Sequence, residues 1–255
     1  MSQMNILLTN DDGVNALGIN KLADFLKNYY NTIVVAPERE RSAVSHAITL
    51  HKPLRLTNIR KESNIEIYYV NGTPSDCIKL AIDVVLDNKP DIVISGINWG
   101  LNLGTDILYS GTVSAAIEAA INGIPSMAVS LEEDADLNDK TIYIFIKNLI
   151  EETIERGLPK HTLLNVNIPK KIKNDKGIKI TSLGLINYVE NFTKRIDPRG
   201  KEYYWMAGKL LDNYKDEGSD IVSVKNGYIS ITPIHFDLTE YTLAEKLKNW
   251  NIKIN

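Results

Sequence analysis

Strands alternating with helices along the chain predict an α/β protein whose sheet is mostly parallel and covered on both faces. Three observations carry that reading. Short β-branched runs such as Thr32–Val35 and Asp91–Ser95 each end in a polar or Gly-rich loop. Segments with helical spacing of apolar residues stand between them. The 255 residues, 44% hydrophobic and 24% charged, suffice for one large core and exclude disorder, collagen and coiled coil as whole-chain readings.

The elements follow in order. Ile6-Leu7-Leu8 is an apolar run ended by Asn10-Asp11-Asp12-Gly13, which predicts a buried strand and then a tight loop. Leu17 to Tyr29 has apolar residues at Leu17, Leu22, Phe25 and Leu26, near helical spacing. Thr32–Val35 is a strand closed by Ala36-Pro37, and Glu66–Val70 is another. Ser75–Val85 reads as a helix capped by Ser75. Asp91–Ser95 is a strand, followed by a long Gly-rich loop. Ser114–Asn122 is an Ala-rich helix stopped by Gly123 and Pro125, and Met127–Ser130 a further strand. Thr141–Arg156 is an amphipathic helix and Leu163–Val166 a strand.

Beyond Pro169 the pattern changes. Lys170, Lys171, Lys173, Asp175 and Lys176 form a charged loop, then come the Tyr203-Tyr204-Trp205 cluster and a strand over Tyr228–Thr232. The expected division is an α/β core over residues 1–170. Residues 171–255 form a β-containing C-terminal extension for oligomerisation, its last part packing back on the core.

Charge and cysteine usage narrow the function classes. Lys and Arg total 29, Asp and Glu 32, for a net charge of -3. A binder of long nucleic acid needs a basic surplus, so that partner is not expected, whereas a single nucleotide needs only one pocket. The single Cys77 cannot form an intramolecular disulfide, which fits a reducing compartment. The first apolar run stops after Leu8, short of a signal peptide, and no segment nears the roughly 20 apolar residues of a membrane span. A cytoplasmic protein with no membrane partner is expected.

Four segments carry chemistry. Asp11 and Asp12 stand side by side after the first strand, where ligands bind in doubly wound sheets. Adjacent carboxylates repel unless a cation neutralises them, and a hard divalent ion such as Mg²⁺ or Mn²⁺ fits. The structural alternative is a turn with acids near a helix N-terminus. Glu38 to Arg41 and Ser42 follow the second strand; alone they read as a solvated loop with a capping serine. Gly96, Gly100 and Gly104 recur every four residues, with Asn98 and Asn102 in the same period. That density implies close backbone approach to a ligand, yet it is neither GxGxxG nor a Walker A loop. Tyr109-Ser110-Gly111-Thr112-Val113 precedes the Ala-rich helix and places hydroxyls and free N–H groups where an anion binds; N-capping by Ser110 or Thr112 is compatible with it. Cys77 reads as packed core, and the four histidines lack ligand spacing.

In this order the segments resemble the stationary-phase survival protein SurE family of 5′(3′)-nucleotidases. The resemblance rests on Ile6–Gly13 with Gly18, Val35-Ala36-Pro37 with Ser42, and Asn71-Gly72-Thr73-Pro74-Ser75-Asp76-Cys77. It continues through Ser95-Gly96-Ile97-Asn98 with Gly100, Asn102 and Gly104, then Tyr109–Val113, Asp197-Pro198-Arg199-Gly200 and Ser230-Ile231-Thr232-Pro233. It implies a Rossmann-like doubly wound sheet with an extended, β-containing C-terminal region. It implies one divalent metal ion per subunit, Mg²⁺ or Mn²⁺, held by Asp11, Asp12, Ser42 and Asn98, with Asp11 and Asp12 also catalytic. Asn102, Ser110, Gly111 and Thr112 would bind phosphate. The implied reaction is hydrolysis of nucleoside 5′- and 3′-monophosphates, with short polyphosphate as a further substrate, in a homodimer or homotetramer assembled through the C-terminal extension. Ala43 stands where the family often has Gly and Ser219 where it usually has Thr; neither removes a ligand. A nicotinamide-dependent oxidoreductase on the same fold ranks lower, because two acids stand where its pyrophosphate would lie. A non-catalytic nucleotide-binding module is the remaining alternative.

Overall fold

The computed structural model describes residues 3–172, 177–186, 188–189, 192–206, 209–210 and 216–254. Of the charged loop expected after Pro169, Lys173, Asp175 and Lys176 lie outside the described residues. The chain runs β1 (Asn5–Thr9), α1 (Leu17–Leu26), β2 (Asn31–Pro37), β3 (Leu56–Glu62), β4 (Ile65–Val70), α2 (Pro74–Leu80) and β5 (Ile92–Trp99). It continues with α3 (Gly111–Ile121), β6 (Ser126–Leu131), α4 (Lys140–Arg156) and β7 (Thr162–Ile168). Then follow β8 (Ile178–Ile180), β9 (Tyr188–Val189), β10 (Phe192–Ile196), β11 (Glu202–Met206), β12 (Lys209–Leu210), α5 (Asp220–Lys225), β13 (Ile229–His235) and α6 (Tyr241–Leu247).

Nine strands form one sheet in the order β3-β4-β2-β1-β5-β6-β7-β13-β8. The six from β4 to β7 are parallel neighbours, as apolar runs buried on both faces require. One face packs on α1 and α4 through Ile19, Leu22, Leu26, Ile142, Ile146 and Ile150. The other packs on α2 and α3 through Cys77, Ile78, Ala115 and Ala119. Gly18 lets α1 approach β5: a Cβ there would lie 2.2 Å from the Ile97 carbonyl oxygen. Among the described residues no helix is long and apolar enough to cross a membrane.

The structure corrects several local expectations. The predicted Ser75 cap gives way to Thr73, whose hydroxyl accepts from Asp76 N (3.1 Å) while Asp76 Oδ2 accepts from Thr73 N (2.9 Å). This capping box, with Pro74 at the first helical position, starts α2 a residue earlier and buries Ser75 inside it. The α-helix ends at Leu80 and continues only as a π-turn over 81–85. Helix α3 begins at Gly111, three residues before the expected Ser114, because Ser110 Oγ accepts from Val113 N (3.1 Å). Strand β5 runs on to Trp99, through part of the expected Gly-rich loop; its register against β6 shifts between Ser95 and Asn98. Gly96 at φ 140 permits this, with the Val129 carbonyl oxygen 2.3 Å from where a Cβ would stand. Strand β3 had no sequence expectation.

The C-terminal region contributes to the main sheet. Strand β13 pairs antiparallel with β7 and parallel with β8. Strands β10 and β11 form a separate antiparallel ladder that exposes Phe192, Ile196, Trp205 and Met206, and α6 buries none of its residues.

Candidate active site

Strand order reverses between β1 and β5: the chain leaves β1 toward β2 and leaves β5 toward β6. The crevice beyond the carboxyl ends of these strands is where doubly wound sheets bind ligands. Four segments meet there: the loops after β1, β2 and β5, and the N-terminus of α3.

The loop after β1 is folded by Asn10. Its buried side chain donates to Gly13 O (2.9 Å) and accepts from Gly13 N (3.2 Å), and Gly13 takes φ 96. That closure sends Asp11 and Asp12 outward in different directions. Asp11 is buried and faces the N-terminus of α3, where it accepts from Thr112 N (3.2 Å) and from the Thr112 hydroxyl. Its carbonyl accepts from Arg41 N (2.7 Å), which ties in the loop after β2. Asp12 is half-buried and accepts from Trp99 N at 3.3 Å, the amide next to Asn98.

The electrostatics of the pair are unfavourable without a cation. Burial pushes the Asp11 carboxyl above its ordinary range, against the opposing effect of the Thr112 bonds. Burial, then the Asp11 charge, raise Asp12 to about 6. Glu40 adds repulsion to both. Among the described residues neither carboxylate joins an ion pair, and no three or more His, Cys, Asp or Glu side chains converge on a metal position. The available donors are therefore two carboxylates plus neutral oxygens, a set that suits a hard divalent cation keeping several waters.

The expected neutral donors lie on segments bonded to this pair. Ser42 follows Arg41, is exposed, and donates to Glu40 Oε1 (2.7 Å). Asn98 donates its Nδ2 to Gly100 O (2.7 Å), leaving its side-chain oxygen for another partner. Gly111 opens α3 against Asp11: a Cβ there would stand 2.9 Å from both Asp11 Cβ and Oδ2. Both donors of Thr112 are engaged by Asp11, so in this structure Thr112 orients a carboxylate at the position predicted for phosphate. Ser110 acts as the helix cap.

Asn102 sits apart from the pair in its bonding. Its Nδ2 donates to Ser130 Oγ (2.7 Å) and its backbone N to Asn167 Oδ1 (2.8 Å). Its carbonyl accepts from Asn165 and Asn167 Nδ2 at 2.9 and 2.8 Å. Ser130, Asn165 and Asn167 were not singled out by sequence reasoning; two buried asparagines alternating in an apolar strand were the available signal. Asp220 was also missed. Fully buried, it accepts from Gly104 N (2.7 Å) and Gly184 N (2.9 Å), fastening the loop after β5 to the C-terminal region. His46 bonds Glu118 (2.8 Å). Cys77 is fully buried and its thiol is held protonated by burial, consistent with a packed core residue.

Fold and site together define a doubly wound α/β protein with a carboxylate pair set against a helix N-terminus at the strand reversal. The chain belongs to the family described as Survival protein SurE, whose profile matches residues 6–190. It is 68% identical over 251 residues to a 5'-nucleotidase SurE of Thermoanaerobacter sp. (strain X514), covering 98% of this chain and 100% of that one. It is 64% identical over 255 residues to a 5'-nucleotidase SurE of Caldanaerobacter subterraneus subsp. tengcongensis, covering 100% of both. Among solved structures, the SurE protein from Aquifex aeolicus superposes with a TM-score of 0.83 at 42% identity, covering 96% of this chain and 98% of that one.

Proposed function

We propose that this chain is a phosphomonoesterase that hydrolyses nucleoside 5′-monophosphates, and 3′-monophosphates, to nucleoside and phosphate, with short polyphosphate as a further substrate. The observation that carries the reading is the Asp11–Asp12 pair, desolvated and without a cationic partner among the described residues, beside the N-terminus of α3. The 5'-nucleotidase relatives over the whole chain length support it.

One divalent cation, Mg²⁺ or Mn²⁺, fits the donors Asp11, Asp12, Ser42 and Asn98. When bound it would supply charge neutralisation at the transferring phosphoryl group. The protein's own residues do the rest. The Thr112 bonds fix Asp11, and the Trp99 amide fixes Asp12, so the pair keeps its geometry through turnover. At the start of helix α3, Thr112 N and Val113 N already serve Asp11 and Ser110 Oγ, so the Gly111 N–H is the donor this helix start has for a phosphoryl oxygen. Asn102, the other residue proposed to hold phosphate, is fixed in the loop after β5 by its bonds to Ser130 and Asn167. Hydrolysis breaks the ester P–O bond; water supplies the new P–O bond, and its proton ends on the departing nucleoside oxygen.

The test is phosphate release from 5′- and 3′-monophosphates and short polyphosphate, first with chelator and then with each metal restored. Metal-dependent release from the monophosphates is expected, with Asp11→Asn lowering it at least 10²-fold. Release that persists in chelator would refute the metal assignment. Binding without turnover in every condition would favour the nucleotide-binding module.

We infer further that residues 171–255 form an extension joining two or four copies. The exposed Phe192, Trp205 and Met206 on the β10–β11 ladder support this. Trp205→Glu should reduce the particle mass measured by light scattering; an unchanged mass would refute it. The cytoplasm is the proposed site of action, where the unpaired Cys77 stays reduced.

A further inference from the structure

A buried carboxylate of the C-terminal region reaches the segment between β5 and α3, which carries Asn102 near one end and Ser110 at the other. Asp220 opens α5, is fully buried, and accepts from three backbone N–H groups. One oxygen takes Gly104 N (2.7 Å); the other takes Gly184 N (2.9 Å) and Ile221 N (2.8 Å). We propose that Asp220 is a positioning residue for the phosphate site, holding the backbone between Asn102 and Ser110 in the geometry that receives a phosphoryl group. The inference rests on the phosphate roles proposed above for Asn102 and Ser110 and adds what sets them in place.

The contacts form a clamp. Gly104 takes φ 49, and a Cβ there would lie 2.4 Å from the Gly184 carbonyl oxygen, so backbone meets backbone with no room for a side chain. Gly184 in turn lies against α5: a Cβ on it would stand 2.5 Å from Ile221 Cδ1. Around this stack Asp220 N donates to Ser182 O (2.9 Å), Ser182 N to Gly218 O (3.1 Å) and Ile186 N to Thr105 Oγ1 (3.3 Å). The clamp grips the first residue of the 3-10 turn Gly104–Leu108. Ser110 N donates to Ile107 O (3.2 Å), so the turn passes its orientation to the cap of α3. Asn102 stands two residues before Gly104, on the other side of the grip.

The chemistry of the clamp argues for placement. Burial pushes the Asp220 carboxyl above its ordinary range, against the pull of its backbone bonds. A charge held away from water is costly, and an apolar contact would hold α5 here at less cost. A carboxylate offers direction instead: its two oxygens fix the N–H groups of Gly104 and Gly184 relative to each other through short charge-assisted bonds.

The experiment measures the dissociation constant of inorganic phosphate by calorimetry on the full chain with Mg²⁺ present, which needs no turnover. Asp220→Asn keeps the side-chain shape. With its oxygen on Gly184 and Ile221, the asparagine turns its NH2 toward the Gly104 N–H and breaks that bond. Phosphate binding should weaken about tenfold or more, as expected when donors to an anion are misplaced. Val224→Ala, buried on the same helix, removes packing but none of the Asp220 bonds; it should lower the melting temperature and leave phosphate binding unchanged. Wild-type affinity in folded Asp220→Asn, or equal weakening in Val224→Ala, would overturn the role. If Asp220→Asn fails to fold, amide exchange of the wild type decides. Coupling is reciprocal, so saturating phosphate should slow exchange of the Gly184 N–H about fivefold or more, and an unchanged rate overturns the proposal. A wild type that binds no phosphate would refute the roles of Asn102 and Ser110, and that of the clamp with them. One that binds phosphate yet releases none from any ester would refute the hydrolase reading alone.

Discussion

Gly111→Ala isolates the geometry of the acidic pair from the stability of the fold. The added Cβ would lie 2.9 Å from Asp11 Cβ and 2.9 Å from its Oδ2. Relaxed contact between carbons is about 3.5–4.0 Å, so Asp11 has to retreat by roughly 0.6–1.1 Å. It cannot do so freely. Asp11 Oδ2 accepts from Thr112 N at 3.2 Å, and a shift of that size takes this bond beyond useful length. Misplacing a reacting group by about 1 Å costs about 10²-fold in rate, equivalent to about 2.7 kcal/mol of transition-state stabilisation. The helix itself gains, because alanine exceeds glycine as a helix former by up to about 1 kcal/mol. The assay is kcat/KM for phosphate release from adenosine 5′-monophosphate, with a thermal melt on the same sample. The expected result is an activity loss of about 10²-fold at an unchanged or higher melting temperature. Wild-type activity in folded Gly111→Ala would refute the claim that Asp11 must occupy this position.

Two further outcomes test the frame around the site. Gly18→Ala places a Cβ 2.2 Å from the Ile97 carbonyl oxygen, a backbone atom that cannot rotate away. It should cost about 3 kcal/mol in urea unfolding by pushing α1 off β5, and a loss below about 0.5 kcal/mol would contradict the packing. Glu118 is buried, bonded by His46 and by Lys79, each at 2.8 Å, and these partners, His46 foremost, hold its carboxyl down at about 2 from an ordinary 4.5. A carboxyl whose folded value lies below its unfolded one stabilises fully above the unfolded value and loses that contribution as pH falls through the folded one. Glu118→Gln should therefore lose about 1.5–3 kcal/mol at pH 7, with the gap to wild type closing as pH falls from about 5 toward 2. A gap that stays constant through that window would refute the charge-based account.

Legibility in the sequence varied by element for physical reasons. Strands buried on both faces announce themselves as apolar runs, so β1, β2 and β6 were found near their observed positions. Strand β3 escaped because it is an edge strand carrying Asn58, Arg60, Lys61 and Glu62 toward solvent. Helix starts were missed by a few residues: Thr73 rather than Ser75 caps α2, and α3 begins directly after Ser110, one of the two expected caps, rather than at Ser114. The family resemblance, not spacing alone, singled out Asp11, Asp12, Ser42 and Asn98 together, and it did not give the bonds each of them makes or place Asn98 within β5.

The sequence alone determined the alternation of elements, the parallel core and the presence of two adjacent carboxylates after the first strand, because periodicity and neighbouring residues are local properties. Tertiary structure decided what those carboxylates face. Thr112 lies 101 residues from Asp11 and Asp220 lies 116 from Gly104, and no local pattern encodes which of many polar groups will meet across such separations. Only the folded sheet brings the start of α3 to Asp11 and sets β13 against β7.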